Sequence, residues 1–255
     1  MNDDAHPEVL RGDEQRVLDG AQTRILGLLV RNFPGAANGV GGRVLVGLAG
    51  APAAGKSTLA TRLVEHLRSN HGPSFATVVP LDGFHLAREA LEQRGLAARR
   101  GAIETFDAAG FADLITRLRR RDENTVFAPA YSRDLHDPVA ASIPVSPETQ
   151  VVIVEGNYLL SPESLWSRSR QLLDEVWYLE LDAATRLRRL VERHQRFGMN
   201  RDEALAKSTG VDARNGEDIE RHHERAQLII ELSDAPAKRD PTETRDSAET
   251  TEKTA

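Results

Sequence analysis

Apolar residues recur along the chain in two rhythms. Short runs at Val44 to Ala49, Ala76 to Leu81, Val151 to Val154, Val176 to Leu181 and Gln227 to Leu232 are rich in β-branched side chains. Such runs predict strands buried on both faces. Between them apolar residues return every three or four positions, as at Leu59, Leu63, Val64 and Leu67, which predicts amphipathic helices. Strand alternating with helix implies an α/β fold in three layers, with a five-stranded, mainly parallel sheet covered on both faces. Ahead of it, Pro7 to Arg31 carries Val9, Leu10, Val17, Leu18, Ile25, Leu28 and Leu29 at an approximate helical period, followed by a Pro/Gly/Asn-rich run. Residues 1–42 therefore read as a leading helix and loop, and 43–232 as one α/β domain. From Asp234 onward no large apolar residue occurs, so 233–255 reads as a disordered acidic tail. No repeat of 20 to 50 residues is present, which argues against a solenoid.

Composition narrows the chemistry. With 255 residues the chain has room for one or two domains, and 40% hydrophobic content rules out disorder throughout. Its longest apolar stretches fall far below the ~20 residues of a membrane helix. The start MNDDAHPE has neither a basic nor an apolar signal region, so the expected location is cytoplasmic, with no membrane partner. Zero cysteines remove disulfides, thiolate zinc sites, iron–sulfur clusters and cysteine nucleophiles. A net charge of −6 argues against a nucleic-acid partner, which needs a basic face. A homodimer is left open.

The candidate chemistry begins at Gly50-Ala-Pro-Ala-Ala-Gly55-Lys56-Ser57, which matches G-x-x-x-x-G-K-[ST] in full. Glycines at both ends let the backbone curl so that successive N–H groups face phosphate oxygens, and the following helix adds its positive end. Gly50, Ala51, Pro52, Ala53, Ala54, Gly55, Lys56, Ser57 and Thr58 are thus the expected ATP-binding residues. Lys56 would serve the β and γ phosphates and Ser57 would offer its hydroxyl to Mg²⁺. Only four of the 33 basic residues are lysines, so Lys56 stands out in a chain whose default cation is arginine. A compact point charge suits this place better than a planar fork.

Other motifs say what kind of phosphate-loop protein this is. GTPase signatures are weak: Asp107 to Gly110 fits the first by letter but follows no strand, and Asn215 to Asp218 lacks the lysine. The run at Ala76 to Leu81 ends in Asp82-Gly83-Phe84-His85. Residues beyond the carboxyl ends of parallel strands face the ligand crevice, so Asp82 is placed to hold a substrate hydroxyl, with His85 beside it. An ordinary Asp-Gly turn would use the same pair. Val151 to Val154 leads into Glu155, where a carboxylate can hold Mg²⁺ directly or through water. Arg186, Arg189, Arg193 and Arg196 lie three and four apart on a predicted helix, either as a stripe facing phosphates or as a solvated, salt-bridged face. The Arg117 to Arg121 cluster reads as a solvated helix end, and Trp166 and Trp177 read as packing residues.

Together these residues resemble the phosphate-loop small-molecule kinases that include uridine kinase, type I pantothenate kinase and phosphoribulokinase, over roughly Arg43 to Leu232. Asp82-Gly-Phe84, Arg94-Gly-Leu96, Glu104-Thr-Phe-Asp107, Ala128-Pro-Ala-Tyr131-Ser132 and Val-Glu155-Gly-Asn157 look like pantothenate kinase, whereas the arginine helix is similar to the uridine kinase lid. The overall likeness is to a bacterial nucleoside- or sugar-kinase-like branch that includes fructose-transport-associated kinases. Arg133 stands where pantothenate kinase has a histidine, and the Phe-Asp-His-Pro stretch of uridine kinases is absent. The resemblance implies a P-loop NTPase sandwich with a helical lid. It also implies Asp82 as the base, Glu155 serving the metal with Ser57, and Arg189 and Arg193 contacting phosphates from the lid. The expected reaction moves the γ-phosphoryl group of ATP, with Mg²⁺, to the hydroxyl of a nucleoside, sugar or pantothenate-like small molecule. Tyr131, Arg133 and the Glu104 to Asp107 stretch are candidates for the acceptor pocket, with Arg133 suited to a carboxylate or phosphate. The alternative is a regulatory ATPase with no small-molecule acceptor.

Overall fold

The structure, a computed structural model, describes residues 6–34, 42–121 and 124–233. All of the expected tail except Ser233 lies outside them. In chain order the elements are β1 (Glu8–Gly12), α1 (Glu14–Asn32), β2 (Val44–Ala49), α2 (Lys56–His71), β3 (Ala76–Pro80), α3 (Arg88–Gln93) and α4 (Ala108–Arg120). Then follow β4 (Val126–Ser132), β5 (Asp137–Val145), β6 (Val151–Glu155), α5 (Ser164–Gln171), β7 (Glu175–Glu180), α6 (Ala183–Arg196), α7 (Arg201–Thr209), α8 (Val211–Glu220) and β8 (Leu228–Leu232).

The main sheet has the order β1-β8-β7-β2-β6-β3, and every pairing in it is parallel. It holds six strands, not the expected five. The sixth is β1, which the helical reading of Pro7 to Arg31 had absorbed. With a largely exposed pattern and only Val9 and Leu10 apolar, β1 is too weakly patterned to read alone; it exists because β8 offers it a ladder, Val9 opposite Ile229 and Leu10 opposite Ile230. The leading helix starts only at Glu14, where Asp13 caps it by accepting from the Arg16 N–H.

Every residue of β2 and β6 is buried, as expected of central parallel strands. One apolar cluster packs α1 and α2 on the sheet through Val17, Ile25, Leu63 and Leu67. Another packs α4 and α5 on the opposite face through Phe111, Ile115, Leu118 and Trp166. Trp166 and Trp177 are buried packing residues. The Arg117 to Arg121 cluster differs from expectation. Arg119 binds the buried Asp174 at 2.6 Å, and Arg121 donates to the carbonyls of Pro147 and Gly42, so these cations tie the helix end down.

A second, antiparallel sheet pairs β4 with β5. It stands over the turn after β3, where Gly83 is required. A Cβ there would lie 2.4 Å from the Pro129 carbonyl oxygen, so only glycine lets the hairpin approach.

Candidate active site

The loop between β2 and α2 curls through positive φ at Ala53 and Gly55. Gly55 precedes α2 without any side-chain cap, which leaves the first-turn N–H groups of α2 to a ligand. The Lys56 ammonium folds back onto the Ala51 carbonyl at 3.0 Å. Burial pushes its pKa down to about 8, against the opposing pull of Glu155 and Asp82, while Arg193 lowers it further.

Glu155 ends β6 beside β2, in register with Leu48, and is buried. Ser57 donates to its Oε1 at 3.0 Å. Burial raises its pKa and Asp82 adds to the rise, opposed by Lys56 and the Ser57 hydrogen bond. A hydroxyl and a carboxylate side by side form a hard-oxygen pair that suits Mg²⁺, an ion usually held by one or two protein oxygens together with substrate phosphates. Among the described residues no group of three or more His, Asp or Glu could hold a metal ion by itself.

Asp82 lies in the single helical turn Leu81–Phe84 that follows β3, its carboxylate more than half exposed. His85 sits beside it. The His85 Nδ1 is 2.9 Å from the Asp82 carbonyl oxygen and 4.0 Å from the Asp82 Oδ1. A carbonyl only accepts, so Nδ1 carries the proton and Nε2 is left as an acceptor in the neutral ring. Burial lowers the His85 pKa, with Asp82 opposing and Arg100 reinforcing the shift, so neutrality is the resting state at pH 7.

The acceptor side is assembled from three segments. Backbone bonds from Leu86 to Thr105 and from Asp107 to Phe84 lay the Glu104 to Asp107 stretch beside the Asp82 turn and bring Phe106 against the His85 ring, centroids 4.1 Å apart. Tyr131 of β4 closes the other side at 5.3 Å. Two expectations change here. Asp107 is spent capping α4, accepting from the Gly110 N–H at 2.8 Å. Arg133 is exposed in the hairpin turn between Ser132 and Asp137, with no bond joining it to Asp82, His85 or Tyr131. The arginine beside Tyr131 is instead Arg100, whose Cζ lies 5.3 Å above the ring. Tandem arginines ahead of Gly101 were the one available signal for it.

From the other side α6 approaches the phosphate loop. Arg189 donates to the Ala54 carbonyl at 3.3 Å and lies 3.7 Å from where a Gly55 Cβ would be. Arg186, the first member of the stripe, points elsewhere: it is buried and pairs with Glu220 of α8 at 2.5 Å. Thus Arg189 touches the loop, Arg193 acts on Lys56 through its charge, and Arg186 braces α6 against α8. Two of these helix starts are capped by side chains: Asp182 takes the Thr185 N–H at the start of α6, and Asn200 with Glu203 forms a capping box at the start of α7.

Residues 45–234 match the model of the Phosphoribulokinase / Uridine kinase family. The chain belongs to that family. Membership in the phosphoribulokinase/uridine kinase family makes it a phosphate-loop kinase. "Putative uridine kinase C227.14" of Schizosaccharomyces pombe is 32% identical over 195 residues, 74% of this chain and 83% of the relative. "ATP-dependent kinase-like protein notR'" of Aspergillus versicolor is 36% identical over 159 residues, 59% of this chain and 92% of the relative. Among solved structures, a "putative fructose transport system kinase" from Silicibacter sp. TM1040 superposes with a TM-score of 0.71 at 38% identity, covering 81% of this chain and 97% of that one. Among the described residues no helix is long and apolar enough to cross a membrane.

Proposed function

We propose that this family member transfers the γ-phosphoryl group of ATP to a hydroxyl of a small molecule. One observation carries the reading: Lys56, the Ser57–Glu155 pair and Asp82 gather at the carboxyl edge of the sheet, Ser57 donating to Glu155 and each charge close enough to act on the next. Mg²⁺, when bound, would be held by Ser57 and Glu155 and would neutralise charge on the phosphate oxygens. The backbone from Gly50 to Thr58 cradles the phosphates. Asp82 orients the acceptor hydroxyl and receives its proton, while His85 Nε2 and Tyr131 position the rest of the acceptor. Lys56, Arg189 and Arg193 stabilise charge on the transferred group, where a loose transition state makes positioning and electrostatics the main contributions. The lid helices exclude water, the competing acceptor.

The test is ADP release with acceptor-dependent mass gain of ~80 Da for one phosphoryl group. The variant is Asp82→Asn. Loss of a positioned base costs about 10²- to 10⁴-fold in kcat, with ATP binding retained. A loss of less than a few-fold would remove Asp82 from the mechanism.

A further inference from the structure

We infer that the acceptor carries an acidic group, a carboxylate or a phosphate monoester, and that Arg100 is the residue that reads it. The inference rests on the small-molecule phosphotransfer proposed above and narrows its substrate class. Asp82, His85, Tyr131 and Arg100 are neighbours linked by successive contacts. The His85 Nδ1 lies 4.0 Å from the Asp82 carboxylate, its ring centre 5.3 Å from that of Tyr131, and the Arg100 Cζ 5.3 Å from the centre of the Tyr131 ring. The group thus contains a carboxylate whose charge reaches Lys56 of the phosphate loop, and a cation.

Arg100 is held rather than loose. Its Nη2 donates to the His136 carbonyl at 2.5 Å and approaches the Asp137 Oδ1 at 3.4 Å, its guanidinium lies over an aromatic ring, and its side chain is 26% exposed. Asp137 is only a partial counter-charge, since its Oδ1 also accepts from the Arg88 N–H at 2.9 Å. Both contacts use Nη2, so the Nε and Nη1 donors have no partner among the described residues. A stacked, fixed guanidinium with an open edge fits a planar or tetrahedral oxyanion through two parallel hydrogen bonds. Arg100 and Asp82 both act electrostatically on His85 and on Tyr131, so the cation and the candidate base border one space. An alcohol bridging them presents its hydroxyl at Asp82 and its acid at Arg100. Neutral nucleosides and neutral sugars leave that edge unmatched.

The experiment compares matched acceptors: glycerol, glycerate and glycerol 3-phosphate, and glucose, gluconate and glucose 6-phosphate, with uridine as a neutral nucleoside. Phosphate transfer is read by ADP release and mass shift for wild type, Arg100→Met and Arg100→Lys. The expected result is turnover of acid-bearing members only. The carboxylate and phosphate arms identify which acid is read. For the accepted compound, Arg100→Met raises KM about ten- to a hundredfold, the scale of charge-assisted hydrogen bonds. It leaves the KM for ATP unchanged, and Arg100→Lys recovers part of the loss. Wild-type turnover of neutral members at rates equal to their acidic counterparts overturns this inference and leaves phosphotransfer standing, as does an Arg100→Met effect equal on acidic and neutral acceptors. Acceptor-independent ATP hydrolysis with no phosphorylated product from any compound overturns the phosphotransfer reading, and this inference with it.

Discussion

At the scale of single residues, Lys56 shows function set against stability. A buried ammonium is unfavourable unless an anion joins it, and here its protein partners are a carbonyl and the field of two carboxylates. Its pKa in the folded chain, about 8, lies below its ordinary 10.5. Between those values the unfolded chain binds the more protons, so stability rises with pH across that window; below it both states are protonated and the full burial penalty persists. Lys56→Met should therefore raise Tm at pH 7 by about 2–4 °C, about 1 kcal/mol, while removing ATP turnover. Thermal melts from pH 6 to 10 check this: the gain should shrink as pH passes 8. A fall in Tm at pH 7, or a gain that grows with pH, would show that the ammonium is well accommodated without nucleotide.

Elements explain which member of the arginine stripe turns away from the phosphate loop. Arg186 is turned inward because α8 offers Glu220 and makes room with Gly216, where a Cβ would stand 2.4 Å from the Arg186 Nη1. The buried His194 adds a second tie between α6 and α8, its Nε2 2.6 Å from Asp212. Arg193→Met should lower kcat about 10²- to 10³-fold by removing a charge facing the transferred group. Arg186→Met should leave kcat within about threefold and instead speed amide exchange in α8. Parallel kinetics for the two variants, measured alongside exchange, would return Arg186 to the phosphate-facing set. Helical spacing makes the stripe legible in the sequence, yet it cannot say which arginine finds an internal partner, because Glu220 lies 34 positions along the chain. The same limit hides Arg100, whose role depends on Tyr131 and Asp137 in a distant hairpin. That hairpin is itself hard to read: Pro129, Pro138 and Pro144 interrupt it, and few of its residues are fully buried, so it lacks the apolar alternation that marks a strand. By contrast the phosphate loop is legible in full, because a contiguous backbone conformation dictates its glycines.

Across the whole molecule the two rims of the sheet are treated differently. Around the carboxyl ends of the strands, Asp82 meets His85 only at 4.0 Å and the Nε and Nη1 donors of Arg100 have no partner among the described residues; around the amino ends Arg43 and Glu175 are matched. Arg43, just before β2, donates to the carbonyls of Thr149, Leu118 and Ser146. Glu175, the buried first residue of β7, accepts from Trp177 Nε1 at 2.7 Å and from Arg24 Nε at 2.6 Å, with Arg31 at 3.7 Å. Arg24 reaches on to Glu8 of β1 at 2.8 Å, so this network joins the leading strand and helix to the centre of the sheet. The parallel core is legible because its strands are uninterrupted apolar runs, whereas β1 needs β8 to exist and the network needs three distant segments to meet. Removing one member of a buried ion pair strands the other, so Arg24→Ala should cost about 2–4 kcal/mol and lower Tm by roughly 5–15 °C. Since Glu175 lies at the rim opposite the phosphate loop, kcat well below the new Tm should stay within about twofold. Arg24→Gln combined with Glu175→Gln removes both charges and should recover part of the lost stability. Melting curves and turnover at one low temperature decide the matter. A fall in kcat that tracks the fall in Tm would mean that the leading segment shapes the active site, and that the two rims are mechanically one.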